Sequence, residues 1–334
     1  MKQLALFEDF DPAALQPADR PEPAAGAQLD LFEDRTLLLS RAREALIHLE
    51  ATGARKALRE AFARYPDDVR LADEVSRLEN LAWRVEEALR TPEEARPEAF
   101  LAIAQMIAPS PSGALRRDVE PSSLVGRLWV ATVRRAATEA IARAGDATMV
   151  RGVPPGELLL LAGDFDGARA SLERALRVSP RARLLMCLGE CARQTDDVLT
   201  ARQLYLSALR ANPYDVELAA TGDEDVRALP GLARHRFEIE REPVAWTAAV
   251  GVVTGVLQLP ALLVTDSEAH WQAAREGLSP PRREALESAN AFLEALRLSR
   301  TRASARNVKI TEVRRTMKRL CPRLFDVVMG RAQP

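Results

Sequence analysis

The chain has 334 residues, room for about two domains of roughly 150 residues each. It carries 47 Lys and Arg against 48 Asp and Glu, and this net charge of −1 excludes a globally basic nucleic-acid binder while leaving room for a local patch. Its 47% hydrophobic content excludes wholesale disorder, its 3 cysteines argue against a disulfide framework and for a reducing compartment, and its 5% aromatics with abundant Ala, Leu, Arg and Glu point to an all-α fold.

Residues 1–34 read as a flexible, acidic tail, broken by Pro12, Pro17, Pro21 and Pro23. Met1-Lys2 leads to Glu8 and Asp9 with no apolar core region, so this is not a secretory signal. Two pentapeptides stand out, Gln3-Leu4-Ala5-Leu6-Phe7 and Gln28-Leu29-Asp30-Leu31-Phe32, both Q-L-x-L-F. The pentapeptide resembles the motif by which bacterial replication and repair proteins dock on the sliding clamp. That resemblance implies Leu6-Phe7 and Leu31-Phe32 in an apolar pocket on the ring, with Gln3 and Gln28 hydrogen-bonding at its edge and Leu4 and Leu29 among the clamp-binding residues. The alternatives are that Phe32 staples the first helix, and that Leu6-Phe7 docks within the chain itself.

Segment 35–147 reads as helical hairpins. Asp34 is expected to cap a helix that runs to Leu49; a second runs over 54–64, a third from Val69 to Leu89, and others over 97–107 and 122–144. Ala54, Leu58, Ala61 and Pro66 suggest one degenerate repeat.

Segment 148–235 carries the clearest internal signal. Ala168, Leu172, Ala175 and Pro180 recur 33 residues later as Ala201, Tyr205, Ala208 and Pro213. With Leu185, Leu188 and Gly189, this spacing resembles the tetratricopeptide repeat, a helix–turn–helix unit, and Gly163-Asp164-Phe165-Asp166-Gly167-Ala168 resembles its inter-helix turn. In physical terms Gly189 and Ala201 allow close helix approach, Tyr205 or Leu172 fills the space beside them, and Pro180 or Pro213 ends the second helix. Pro154-Pro155-Gly156 departs from the pattern. The resemblance implies an α-solenoid whose groove is lined by Arg183, Met186, Glu190, Arg193 and Gln194.

The final region, 236–334, is expected to be mostly helical. Val244 to Val264 contains no charge and is long enough for a membrane span, but Gln258 and Pro260 favour a buried core element split at the proline. The end of the chain is basic, and Arg314, Arg315, Lys318 and Arg319 are candidates for phosphate contact, the alternative being a solvated helix face.

Catalytic signals are scarce. His48, His235 and His270 lie far apart, Cys187 and Cys191 occupy interior repeat positions, and no nucleotide-binding, zinc-protease or hydrolase motif occurs. The expectation is a non-catalytic scaffold in the bacterial cytoplasm, without cofactor or metal, that binds protein partners. The alternatives are a sliding-clamp accessory factor in DNA replication or repair, with nucleic-acid contact, and a membrane protein anchored by 244–264.

Overall fold

Helix-forming composition is expressed throughout: the described residues build fourteen α-helices, short 3-10 turns and no strand beyond an isolated bridge between Val150 and Val153. This structure, a computed structural model, describes residues 25–109, 119–259, 280–300 and 310–331, with backbone alone at 25–33, 280–283 and 298. Two compact units divide the chain, with Ile47–Leu49 and Arg84 onward in the second.

The first unit holds α1 (Ala25–Ile47), α2 (Ala51–Arg64) and the leading part of α3 (Val69–Arg90). Apolar residues three and four apart bury one stripe of each helix: Leu38, Leu39, Ala42 and Leu46 on α1, Ala54, Leu58 and Ala61 on α2, Leu71, Val75 and Leu78 on α3. Arg64 pairs with Asp34 at 2.5 Å, and Arg43 pairs with Glu74. Between α1 and α2 the chain turns through Leu49 at φ 58°, and the Glu50 amide donates to the Ala45 carbonyl at 2.8 Å. That bond satisfies an otherwise orphaned carbonyl of the helix end, and the left-handed residue it requires costs roughly 1–2 kcal/mol when it is not glycine.

Helix α1 starts nine residues ahead of the expected cap. Pro23 is the last helix breaker in the tail, and beyond it nothing stops propagation upstream of Asp34. Asp34 is therefore an interior residue tied to Arg64, not a cap. Gln28, Leu29, Leu31 and Phe32 stand on helical backbone, while Gln3, Leu4, Leu6 and Phe7 lie outside the described residues.

In the second unit α4 (Arg96–Ile107), α5 (Leu124–Ala144), α6 (Pro155–Leu161), α7 (Phe165–Val178), α8 (Ala182–Gln194) and α9 (Val198–Ala211) each pack on the next, the arrangement of an α-solenoid. Helix α5 is capped by the Ser123 hydroxyl, which accepts from the Gly126 amide, and it buries Trp129, Val133, Ala136, Ala137 and Ala140.

Two 3-10 turns, Pro213–Asp215 and Leu218–Ala220, lead to α10 (Glu224–His235), α11 (Thr247–Thr254), α12 (Pro280–Arg300), α13 (Ile310–Leu320) and α14 (Pro322–Val328). The end of α9 is bound to α12: Arg210, 6% exposed, pairs with Glu294 at 2.8 Å, and Asn290 donates to the Arg210 carbonyl. Trp246 meets Phe292 edge to face with centroids 6.1 Å apart.

The apolar segment from Val244 resolves into the end of a 3-10 turn and the eight-residue α11, whose residues 247–252 are buried. Gly255, at φ 81°, ends that helix before Pro260 is reached, so the break falls at the glycine. Eight residues rise about 12 Å, well short of a bilayer core of about 30 Å. No helix among the described residues is long and apolar enough to cross a membrane, and residues 260–264 lie outside them.

Candidate interaction surfaces

The centre of the second unit is a hairpin built twice. In both copies a glycine of the first helix meets a large side chain of the second. A Cβ at Gly189 would lie 2.5 Å from the Tyr205 ring, and one at Gly156 would lie 2.6 Å from Cγ of Leu172. Both fillers, Leu172 and Tyr205, are fully buried, as are Ala168 and Ala201 beside them.

The turns match as well. Gly163 and Asp196 both have positive φ, 74° and 60°. The next residue, Asp164 or Asp197, donates its amide back to the carbonyl of Leu159 or Ala192. Its carboxylate then accepts from the amide of Gly167 or Thr200 and caps the second helix. One aspartate thus closes one helix and opens the next.

Gly156 pairs with Gly189 across the 33-residue shift, and Glu157 pairs with Glu190. The sequence reading misses this because Pro154-Pro155 disguises the start of α6, whereas the structure uses Pro155 as its first residue, where no amide partner is needed. The repeated dipeptide Gly-Glu is the signal that marks the register.

Both glutamates are engaged. Glu157, 2% exposed, receives a two-armed contact from Arg183, with Nε at 2.7 Å and Nη2 at 3.1 Å. Burial pulls the Arg183 guanidinium down, but the Glu157 fork outweighs it and the net shift is upward, so the cation is firmly held. Glu190 accepts from the Tyr205 hydroxyl at 2.8 Å, from Arg193 Nε at 2.7 Å and from the Gly222 amide at 3.3 Å. Burial, with the Glu190 carboxylate beside it, pushes the Tyr205 hydroxyl well above the ordinary phenol range, so it remains a donor.

These contacts change the expected groove. Of Arg183, Met186, Glu190, Arg193 and Gln194, Gln194 alone is exposed and Met186 is buried. The Arg183 amide donates to Asp215 at 3.3 Å, and Glu190 accepts from the Gly222 amide, so two of the expected groove residues are contacted by the segment that follows the repeat. Sequence spacing cannot show this, because the contacting segment lies beyond the repeat. Val198, 46% exposed, and Leu199, 66% exposed, stand at the start of α9.

Residues 156–216 match the family model of the tetratricopeptide repeat. No curated protein and no solved structure matches the chain significantly. The matched residues run from Gly156 to just past Pro213, and so contain both copies of the glycine contact. Tetratricopeptide repeats generally mediate protein–protein interaction, and the chain is of that helical-repeat fold over this stretch.

The other candidate groups sort by burial. Cys187 and Cys191 are buried within α8 and form no disulfide, and desolvation pushes the Cys191 thiol up to about 12, the behaviour of a packing residue and not of a nucleophile. No group of three or more His, Cys, Asp or Glu residues arranged to hold a metal occurs among the described residues. On α13, Arg314, Arg315, Lys318 and Arg319 are all exposed, and Met317 is the buried residue behind them.

Proposed function

We propose that this chain is a non-catalytic adaptor of the bacterial cytoplasm that holds protein partners on its tetratricopeptide-like repeats. The observation that carries the reading is the family match over 156–216, which coincides with two hairpins of the same glycine contact and the same aspartate turn. Because Asp215 and Gly222 bond to Arg183 and Glu190, the surface we assign to a partner is the start of α9, where Val198 and Leu199 are exposed.

A second reading is favoured by the doubled Q-L-x-L-F: an accessory factor tethered to the sliding clamp through Gln3–Phe7 and Gln28–Phe32. The second copy lies on the helical backbone of α1, so docking as an extended peptide requires the first turns of that helix to open.

One capture experiment tests both. The intact protein is compared with Leu199→Asp and with a variant carrying Leu6, Phe7, Leu31 and Phe32 all changed to Ala. A partner lost with Leu199→Asp and kept by the tail variant supports the adaptor. Sliding clamp lost with the tail variant alone supports the tether. If the intact chain captures no protein above background, the adaptor reading fails.

A further inference from the structure

Helix α13 places four cations on one side and keeps them there. Its apolar side faces the protein: Met317 is fully buried, Val313, Thr316 and Leu320 are half-buried, and the helix packs on α12 and α14. The opposite side carries Arg314 and Lys318 in one row and Arg315 and Arg319 in the next, with Thr311 between the rows and Glu312 at the edge, one turn ahead of Arg315, all exposed. None of the four forms an ion pair or hydrogen bond with another described residue.

Other arginines in this unit are neutralised internally: Arg183 by Glu157, Arg210 by Glu294, Arg323 by Glu238. The α13 cations instead stand as like charges four residues apart, a spacing that disfavours the isolated helix. Lys318 and Arg319 gain from the carbonyl end of the helix, but Arg314 and Arg315 sit too far back for that. In a chain of net charge −1, this is a local excess of positive charge, four cations against the single carboxylate of Glu312 on the same helix.

We propose that the exposed face of α13 docks the phosphate backbone of double-stranded DNA, independently of base sequence. The four cations lie within about 7–8 Å along the axis, against a duplex that carries one negative charge per roughly 1.7 Å. Half of the helix circumference is packed against protein, so the helix lies across the backbones and does not enter a groove, and phosphates rather than base edges are in reach. The face has no aromatic side chain for stacking unpaired bases, which disfavours single strands. Its apolar side is buried, which disfavours insertion into a lipid surface. An acidic peptide would need an apolar anchor site, and Ile310 at the helix start is the one large apolar residue exposed here. This inference rests on α13 and is independent of the adaptor reading, so either can fail without the other.

The test is fluorescence anisotropy of a labelled duplex of about 30 base pairs titrated with the full-length protein, across salt concentrations of about 50 to 200 mM. Changing Arg314, Arg315, Lys318 and Arg319 together to Ala is expected to weaken binding at least about tenfold at the low-salt end. The same variant lowers the slope of log affinity against log salt by about 3 to 4, and Arg315→Ala with Arg319→Ala lowers it by about half as much. A second, unrelated duplex sequence binds equally well. All replaced side chains are exposed, so the melting temperature holds or rises as the like charges are removed. Equal affinity of wild type and quadruple variant, absence of duplex binding by wild type at the lowest salt, or tighter binding to single strands, to polyglutamate or to phosphatidylglycerol vesicles would each overturn the proposal.

Discussion

In the hairpin α6–α7 the position after the close-approach glycine holds Glu157, almost fully buried and gripped by both arms of Arg183 from α8. In α8–α9 the same position holds Glu190, which takes the Tyr205 hydroxyl from its own hairpin and the Gly222 amide from the segment that follows. The backbone parts of the two copies are the same: glycine against a large side chain, a left-handed turn residue, an aspartate that caps. The carboxylate is the variable part. In each copy it binds whatever comes next in the chain, a further helix in one and the closing segment in the other. A repeat needs its glycine and its turn in order to fold, whereas its glutamate determines how it is joined to its neighbour.

That division gives the two copies different weak points. Arg183→Leu strips the fork from a carboxylate with almost no access to water and is expected to destabilise the protein by about 3 kcal/mol. Glu190→Gln keeps an oxygen acceptor for Tyr205 and Gly222, and is expected to cost about 1 kcal/mol. Equal losses in urea unfolding would show that the two junctions are equivalent and break the comparison. The glycines come next. At Gly189 an added methyl must displace the Tyr205 ring, itself held through its hydroxyl, so Gly189→Ala is expected to cost about 1–2 kcal/mol after the helix-propensity gain of about 1. At Gly156 the methyl meets the Leu172 side chain, which no hydrogen bond holds, and the Leu172 backbone nitrogen at 3.1 Å, and Gly156→Ala is expected to cost about 1 kcal/mol by thermal melting.

What the sequence displays and what it hides divide along the same line. Ala168, Leu172, Ala201, Tyr205 and Gly189 are legible because the contact they make recurs at a fixed spacing, and the structure brings them together as that spacing requires. Gly156 obeys the same requirement but stands behind two prolines, and in sequence a helix opening with proline resembles a helix broken by one. The engagement of Arg183, Glu190 and Arg193 is not legible, because it depends on where Asp215 and Gly222 return, and no periodicity encodes that. The start of α1 is not legible for a local reason: Asp34 has the chemistry of a cap but nothing upstream, short of Pro23, ends the helix. The described start of the apolar run after Val244 is legible as core, yet the helix it forms ends at the left-handed Gly255.

The smallest expected effect concerns a brace that one copy has and the other lacks. Arg174 of α7 makes a two-armed contact with Asp146, at 2.7 and 3.0 Å, whereas the matching residue of α9 is Ser207, whose hydroxyl donates to the Gln203 carbonyl. The Arg174 guanidinium holds the Asp146 carboxyl below its ordinary range, with burial acting in the opposite direction. A carboxyl whose folded pKa is depressed adds stability above its unfolded value, near 3.9, and that stability is lost as pH falls through the folded value. Between the two, the unfolded chain binds the proton and the folded chain does not. Asp146→Asn removes this contribution, so the gap in melting temperature between wild type and variant should be constant from about pH 6 to 8 and close below about pH 4. A gap that persists unchanged into acid would mean that Asp146 acts through packing and not through its charge, and the first hairpin would then have no electrostatic brace that the second lacks.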